Sequence, residues 1–113
     1  MTLNALIPSV RRLINDLEKD YRWADEVICG YLHDAVVRLN NARPESRYIN
    51  KRLTDIVFPE DVGTFVLPGE YDRWHQGFVY YAAARCLEED AADTANKDLA
   101  NDFMAKAEAR FAA

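Results

Sequence analysis

No stretch of this chain approaches the about 18 consecutive apolar residues that a membrane-spanning helix requires, so no membrane contact is expected. The residues from Met1 to Arg12 lack the uninterrupted hydrophobic region of a secretory signal. The expectation is a soluble protein made in the cytoplasm. Cysteine is scarce: Cys29 and Cys86 are too few for a disulfide framework, and each sits in an apolar stretch where a free buried thiol is the default. There is no G-x-G-x-x-G, no Walker loop, no paired C-x-x-C, no H-x-x-x-H and no EF-hand loop, so the known nucleotide and metal signatures are missing and no cofactor is expected. Positive charge is short as well. Fourteen Lys and Arg face nineteen Asp and Glu, a net charge of −5, which argues against a dedicated nucleic-acid binder because affinity for the phosphate backbone comes mainly from basic side chains.

What remains is enough for one domain spanning 1–113. Surface scaling gives about 6,300 Å² for the folded chain, so a core can form without staples. Sixteen of the apolar residues are alanine, a signal of helix more than of core.

Periodicity then divides the chain into a mainly α fold, about a four-helix bundle with a small β-hairpin between helices two and three. Leu6, Ile7, Val10, Leu13, Ile14 and Leu17 fall in steps of three and four, which predicts helix one over about 2–19. Thr2 is its candidate cap, and Pro8 either kinks it or marks its true start. Val27, Ile28, Tyr31, Leu32, Ala35, Val36 and Leu39 predict helix two over about 24–42, with Ala24 as cap, Asp25 and Glu26 in the first turn, and Arg43-Pro44 as the stop.

The helical period lapses after Glu45. Residues 54–58 and 64–67 read as two short strands around Pro59-Glu60-Asp61-Val62-Gly63, a hairpin over about 54–67, with an ordered extended loop as the alternative. Tyr71, Trp74, Phe78, Tyr81 and Cys86 predict helix three over about 69–90, and Leu99, Phe103, Ala107 and Phe111 predict helix four over about 96–112. With no Gly or Pro after Phe78, one continuous kinked helix is the other arrangement.

Several constellations invite chemistry. Cys29 and His33 stand four apart on one helix face, the spacing of a thiolate–imidazole pair, yet nothing nearby in sequence supplies an orienting group or oxyanion donor, so no catalytic residue is assigned. His75 with Asp72 and Glu70 offers a single imidazole, a poor metal site. The run Glu88, Glu89, Asp90 and Asp93 lacks the spacing and glycine of a calcium loop. Tyr71, Trp74, Phe78 and Tyr81 lack the interleaved basic residues of a base-stacking platform and read as core.

The charge distribution says more. Residues 1–57 carry a net +1 and residues 58–113 a net −6. Arg38, Arg43, Arg47, Lys51 and Arg52 against Glu45 make a basic patch at the end of helix two, while Glu88, Glu89, Asp90 and Asp93 lead an acidic one. A chain with both patches can join copies of itself head to tail, and such contacts close into rings when the rotation allows. These nine residues are the candidate ring interface; two merely solvated faces are the plainer alternative.

The strings Arg11-Arg12-Leu13-Ile14-Asn15-Asp16, Tyr21-Arg22-Trp23-Ala24-Asp25-Glu26-Val27-Ile28, Tyr31-Leu32-His33-Asp34-Ala35, Ala42-Arg43-Pro44 and Gly63-Thr64-Phe65-Val66-Leu67-Pro68 follow one another along the chain. Together with Tyr80-Tyr81-Ala82 through Glu89-Asp90, and with Asn96, Ala100 and Phe103, this order resembles the small head-to-tail adaptor proteins of tailed bacteriophages. Ala24 replaces a usual Ser or Thr cap and His33 a usual Asn. The resemblance implies a protein of the virion neck without catalysis: a mostly helical protomer forming a ring, of twelve copies, on the portal protein at the capsid vertex. The ring would extend the DNA channel without binding DNA specifically and present a surface to the next tail or neck protein. By the same likeness Phe103, Met104, Arg110 and Phe111 are candidates for docking on the portal, as an amphipathic helix laid into a groove. The rival readings are a cytoplasmic helical protein-interaction module without a viral role, and a small enzyme built on Cys29 and His33.

Overall fold

The computed structural model describes residues 1–16, 23–49, 51–53, 56–89 and 94–112. Among these the chain is mainly helical, as its periodicity predicts.

Pro8 settles the start of the first helix. It has no N–H to donate back to Asn4, so residues Leu3–Leu6 form a 3₁₀ turn and the α-helix, α1, runs Ile7–Ile14 with Pro8 in its first turn. Its end comes earlier than residue 19. Asn15 adopts the left-handed conformation (φ 56°), the Asp16 N–H donates to the Arg11 carbonyl at 2.9 Å, and the Asn15 N–H donates to the Arg12 carbonyl at 3.4 Å. That pair of bonds is a Schellman cap, available because Asn tolerates positive φ better than most residues. Leu17 and Lys19, counted into the helix by period, lie outside the described residues. Thr2 is not a cap either: it is extended and bridges Val66, while the Leu3 N–H donates to Phe65 and the Leu67 N–H to Met1.

Helix α2 covers Asp25–Ala42, within a residue of expectation, and Ala24 makes no side-chain capping bond. Its buried stripe is Ile28, Cys29, Leu32, Ala35, Val36 and Leu39. Gly30 lies in the interior of α2, and a Cβ built there meets nothing within 4 Å. Gly30→Ala is therefore expected to stabilise the protein by about 1 kcal/mol, since it restores helix propensity without a clash. A thermal melt that falls on this substitution would contradict the packing described.

A 3₁₀ turn, Pro44–Arg47, leads into strands β1 (Tyr48–Ile49) and β2 (Arg52–Leu53), which pair antiparallel with Tyr48 opposite Leu53 and Ile49 opposite Arg52. A hairpin does lie between helices two and three, but upstream of residues 54–67. Lys51 takes the turn at φ 65°. The downstream apolar residues Ile56, Phe58, Val62 and Phe65 pack on the core without forming a ladder, and the Phe58 and Phe65 rings meet at 4.5 Å. Asp61 caps a 3₁₀ turn at Val62–Thr64 by accepting from the Gly63 N–H at 3.1 Å, and Pro59 cannot donate to a ladder. Thr54 and Asp55 lie outside the described residues.

The third helical region opens as a 3₁₀ turn, Gly69–Trp74, with Tyr71 and Trp74 three apart and both turned inward, and continues as α3, His75–Glu88. Helix α4 is Thr94–Ala112, two residues earlier than expected, and separate from α3. It packs antiparallel along α3: Phe78 meets Phe111 with ring centres 5.8 Å apart, and Tyr80 stacks on Phe103 at 5.8 Å. Gly77 lets the two helices approach, because a Cβ there would sit 2.7 Å from the Phe111 ring. Helices α2 and α1 cover the rest of α3. The molecule measures 45 × 27 × 18 Å with 6655 Å² of surface, a little above the scaling value.

Candidate functional site

The helix directions decide where the charges go. Arg38 of α2 meets Glu108 of α4, whereas Tyr31 of α2 lies under Arg85 of α3, so α2 and α4 run together and α3 runs back. One end of the molecule therefore collects the ends of α2 and α4, the hairpin and the start of α3. It carries Arg43, Arg47, Lys51, Arg52, Arg73 and Arg110. The other end collects the start of α2 and the end of α3, with Asp25, Glu26, Glu88 and Glu89.

Within the basic group the roles separate. Arg38 donates from Nε to Glu108 at 2.7 Å and Arg43 from Nε to Glu45 at 2.9 Å. Arg43 also donates from Nη1 to the Phe111 carbonyl at 3.0 Å and lies 5.9 Å over the Trp74 ring. Those two arginines serve the protomer's own fold by tying α4 to α2. The Arg43–Glu45 bond holds the Glu45 carboxyl below its usual range. Arg47 is half-buried, and Lys51 and Arg52 are exposed on the hairpin. Among the predicted acids, Glu88 lies 3.6 Å from Arg85 and Glu89 accepts from the Trp23 indole at 3.1 Å. Asp90 and Asp93 lie outside the described residues. Sequence reading missed a second set of acids: Asp25, Glu26, Glu60 and Asp61, with Asn4, Cys29 and Val62, line a recess of about 420 Å³. Only the loop carrying Pro59 to Val62 brings Glu60 and Asp61 to α2, and no periodicity announces that.

The aromatic stripe is core, as expected. Tyr71, Trp74 and Phe78 are buried and meet edge to face at 5.9 and 6.3 Å. The Tyr71 hydroxyl donates to Asn40 at 2.8 Å, as does that of Ser46 at 2.7 Å. The docking candidates divide: Phe103 and Phe111 are 6% and 2% exposed, inside the protomer's own core, whereas Met104 is half-buried and Arg110 exposed. Of the four, Met104 and Arg110 alone offer surface that a partner can reach in this protomer.

Cys29 and His33 do not form a working pair. Among the described residues no hydrogen bond joins them; His33 packs edge-on against Phe58 at 4.1 Å. Burial, then the negative charges of Asp61 and Asp25, push the Cys29 thiol up, the wrong direction for a nucleophile. Cys86 is pushed up to about 12, first by burial and then by Asp16. Both thiols are expected to resist alkylation in the folded protein and to react on unfolding. Because folding raises the Cys86 pKa, its contribution to stability is complete below the unfolded value of about 8.5 and drains away as pH climbs towards 12. Cys86→Ala should flatten that alkaline limb in pH-dependent denaturation. Rapid alkylation of native Cys29 would favour the enzyme reading. Among the described residues no group of three or more His, Cys, Asp or Glu is placed to hold a metal ion, and His75 buries Nδ1 without a hydrogen bond. No helix among them is long and apolar enough to cross a membrane.

Comparison with protein-family models, with curated proteins and with solved structures gave no match to the chain.

Proposed function

We propose that the protein is a virion structural component, a ring-forming neck adaptor whose copies join head to tail, dock on the portal, extend the DNA channel and offer an attachment surface to tail components. The observation that carries this is the polarity of charge along the molecule: Arg47, Lys51, Arg52, Arg73 and Arg110 outnumber Glu45, Glu70 and Asp72 where α2 and α4 end, and Asp25, Glu26, Glu60, Asp61 and Glu88 outnumber Arg11 and Arg85 where α2 begins. Unlike patches at opposite ends suit heterologous contacts, which propagate from copy to copy and close when the rotation permits. The order of motifs shared with phage adaptors supports the phage setting. An excess of acidic groups suits a channel wall, since it does not hold a passing phosphate backbone.

Electron microscopy of the purified protein mixed with portal rings encoded in the same genome tests the proposal. The expected result is an added ring on the portal. A protein that stays monomeric and ignores the portal overturns it.

A further inference from the structure

The core is closed, yet apolar side chains remain exposed around the hairpin and the groove beside it. Tyr48 is 56% exposed and Leu53, directly opposite it across the ladder, is 63% exposed. The hairpin packs on the turn of Pro44 and Arg47, and these two residues line a groove of about 540 Å³ whose walls mix apolar Val37, Ile56 and Phe58 with polar Asn40 and Asn41. Val57 follows at 81% exposed. A soluble monomer rarely leaves such a patch uncovered, and a ladder of two residue pairs is marginal in water without something packed on it.

We infer that this hairpin face is the contact by which one copy grips the next, and that its occupant is the acidic end of a second copy of this chain, around the Glu26, Glu60 and Asp61 recess. This deepens the head-to-tail reading above and rests on its self-assembly, though on neither portal nor phage.

Charge and distance carry the choice of occupant. Lys51, Arg52 and Arg47 rim the apolar face, so the partner surface must be apolar with a negative border. The far end of this molecule answers that description: Glu26, Glu60 and Asp61 are exposed, with Val62 in the same recess and Val27, 38% exposed, next to Glu26 in α2. Among the described residues neither Lys51 nor Glu26 nor Glu60 makes an ion pair within the chain. Within one copy Lys51 and Glu26 stay apart: Glu26 stands in the first turn of α2, the hairpin follows its last turn, and the helix rises about 24 Å between Glu26 and Ala42 at 1.5 Å per residue. The contact is therefore between copies and joins unlike patches, so it continues into a chain or closes as a ring.

Zero-length carbodiimide cross-linking of mixed isotope-labelled and unlabelled protein, at high concentration and low salt, reads the contact directly. Expected are inter-copy links from Lys51 to Glu26, Glu60 or Asp61 that fade as salt rises. Lys51→Glu and Glu60→Lys alone should each weaken self-association about tenfold or more, read by analytical ultracentrifugation, with helical content and melting unchanged. Mixing the two variants should restore association, because each variant then meets an opposite charge. Leu53→Ser, which removes no charge, should weaken association while keeping its salt dependence.

Absence of Lys51 links in the wild-type protein, links to other carboxylates only, or no recovery in the mixture overturns the inference. A portal-bound ring unaffected by Lys51→Glu also overturns it while leaving the neck reading intact. Self-association with these properties but no portal binding does the reverse.

Discussion

Arg11→Ala is expected to cost about 3–5 kcal/mol, read as a lower urea midpoint with an unchanged slope, because it removes a buried guanidinium from its bond to a buried carboxylate. Arg11 is 5% exposed and sends Nη1 to Asp16 Oδ2 at 2.8 Å and Nη2 to Asp25 Oδ1 at 2.5 Å. Asp16, whose side chain is only 9% exposed, also accepts from the Trp23 N–H at 3.3 Å. Asp25 has a side chain 68% exposed, so Asp25→Asn should cost under about 1 kcal/mol, the range of solvated ion pairs. The two carboxylates of one arginine thus predict very different losses. Replacing both members of the buried pair, Arg11→Met with Asp16→Leu, should recover much of the loss, since a packed apolar pair is often no worse than an ion pair in such a place. A loss under about 1 kcal/mol for Arg11→Ala would mean that water reaches Asp16 and that this junction of α1 and α2 is open.

That junction also explains how much could be read from the chain. Periodicity located α2 and α3 well, because their stripes are long and Arg43-Pro44 is a strong stop. It overran α1, because a helix period continues through Leu17 whether or not Asn15 turns left-handed. It misplaced the hairpin, because β-branched and aromatic residues between 54 and 67 satisfy themselves by packing on helices and by pairing Val66 with distant Thr2. Strand propensity reports a fit to a half-buried surface and does not name the neighbour. The Arg11 junction joins residues 11, 16 and 25, and Trp23 links it to Glu89. No local rule places an arginine inside. Arg11, Asp16, Trp23 and Asp25 thus have a structural reason to stand where they do, independent of any activity. The charge asymmetry was legible as two halves, but its sharper form, two opposite ends, needed the directions of three helices.

Phe111→Ala separates core from contact at the C-terminus. Phe111 is 2% exposed, its ring meets Phe78 and fills the space beside Gly77, and its carbonyl accepts from Arg43. Truncating a buried aromatic leaves both a transfer loss and a cavity, about 3–5 kcal/mol together, so the melting point should fall by many degrees. Arg110→Ala, one residue away and exposed, should stay within about 0.5 kcal/mol of wild type. If the last turn of α4 also touches a partner, Arg110→Ala and Met104→Ala should weaken assembly at unchanged melting temperature. Loss of assembly in Phe111→Ala should then track only the fraction of protein unfolded. Measuring melting and assembly on the same samples keeps the two effects apart. A Phe111→Ala protein that melts normally and still fails to assemble would place the ring in the contact, and would require α4 to leave Phe78 and Arg43 when a partner binds.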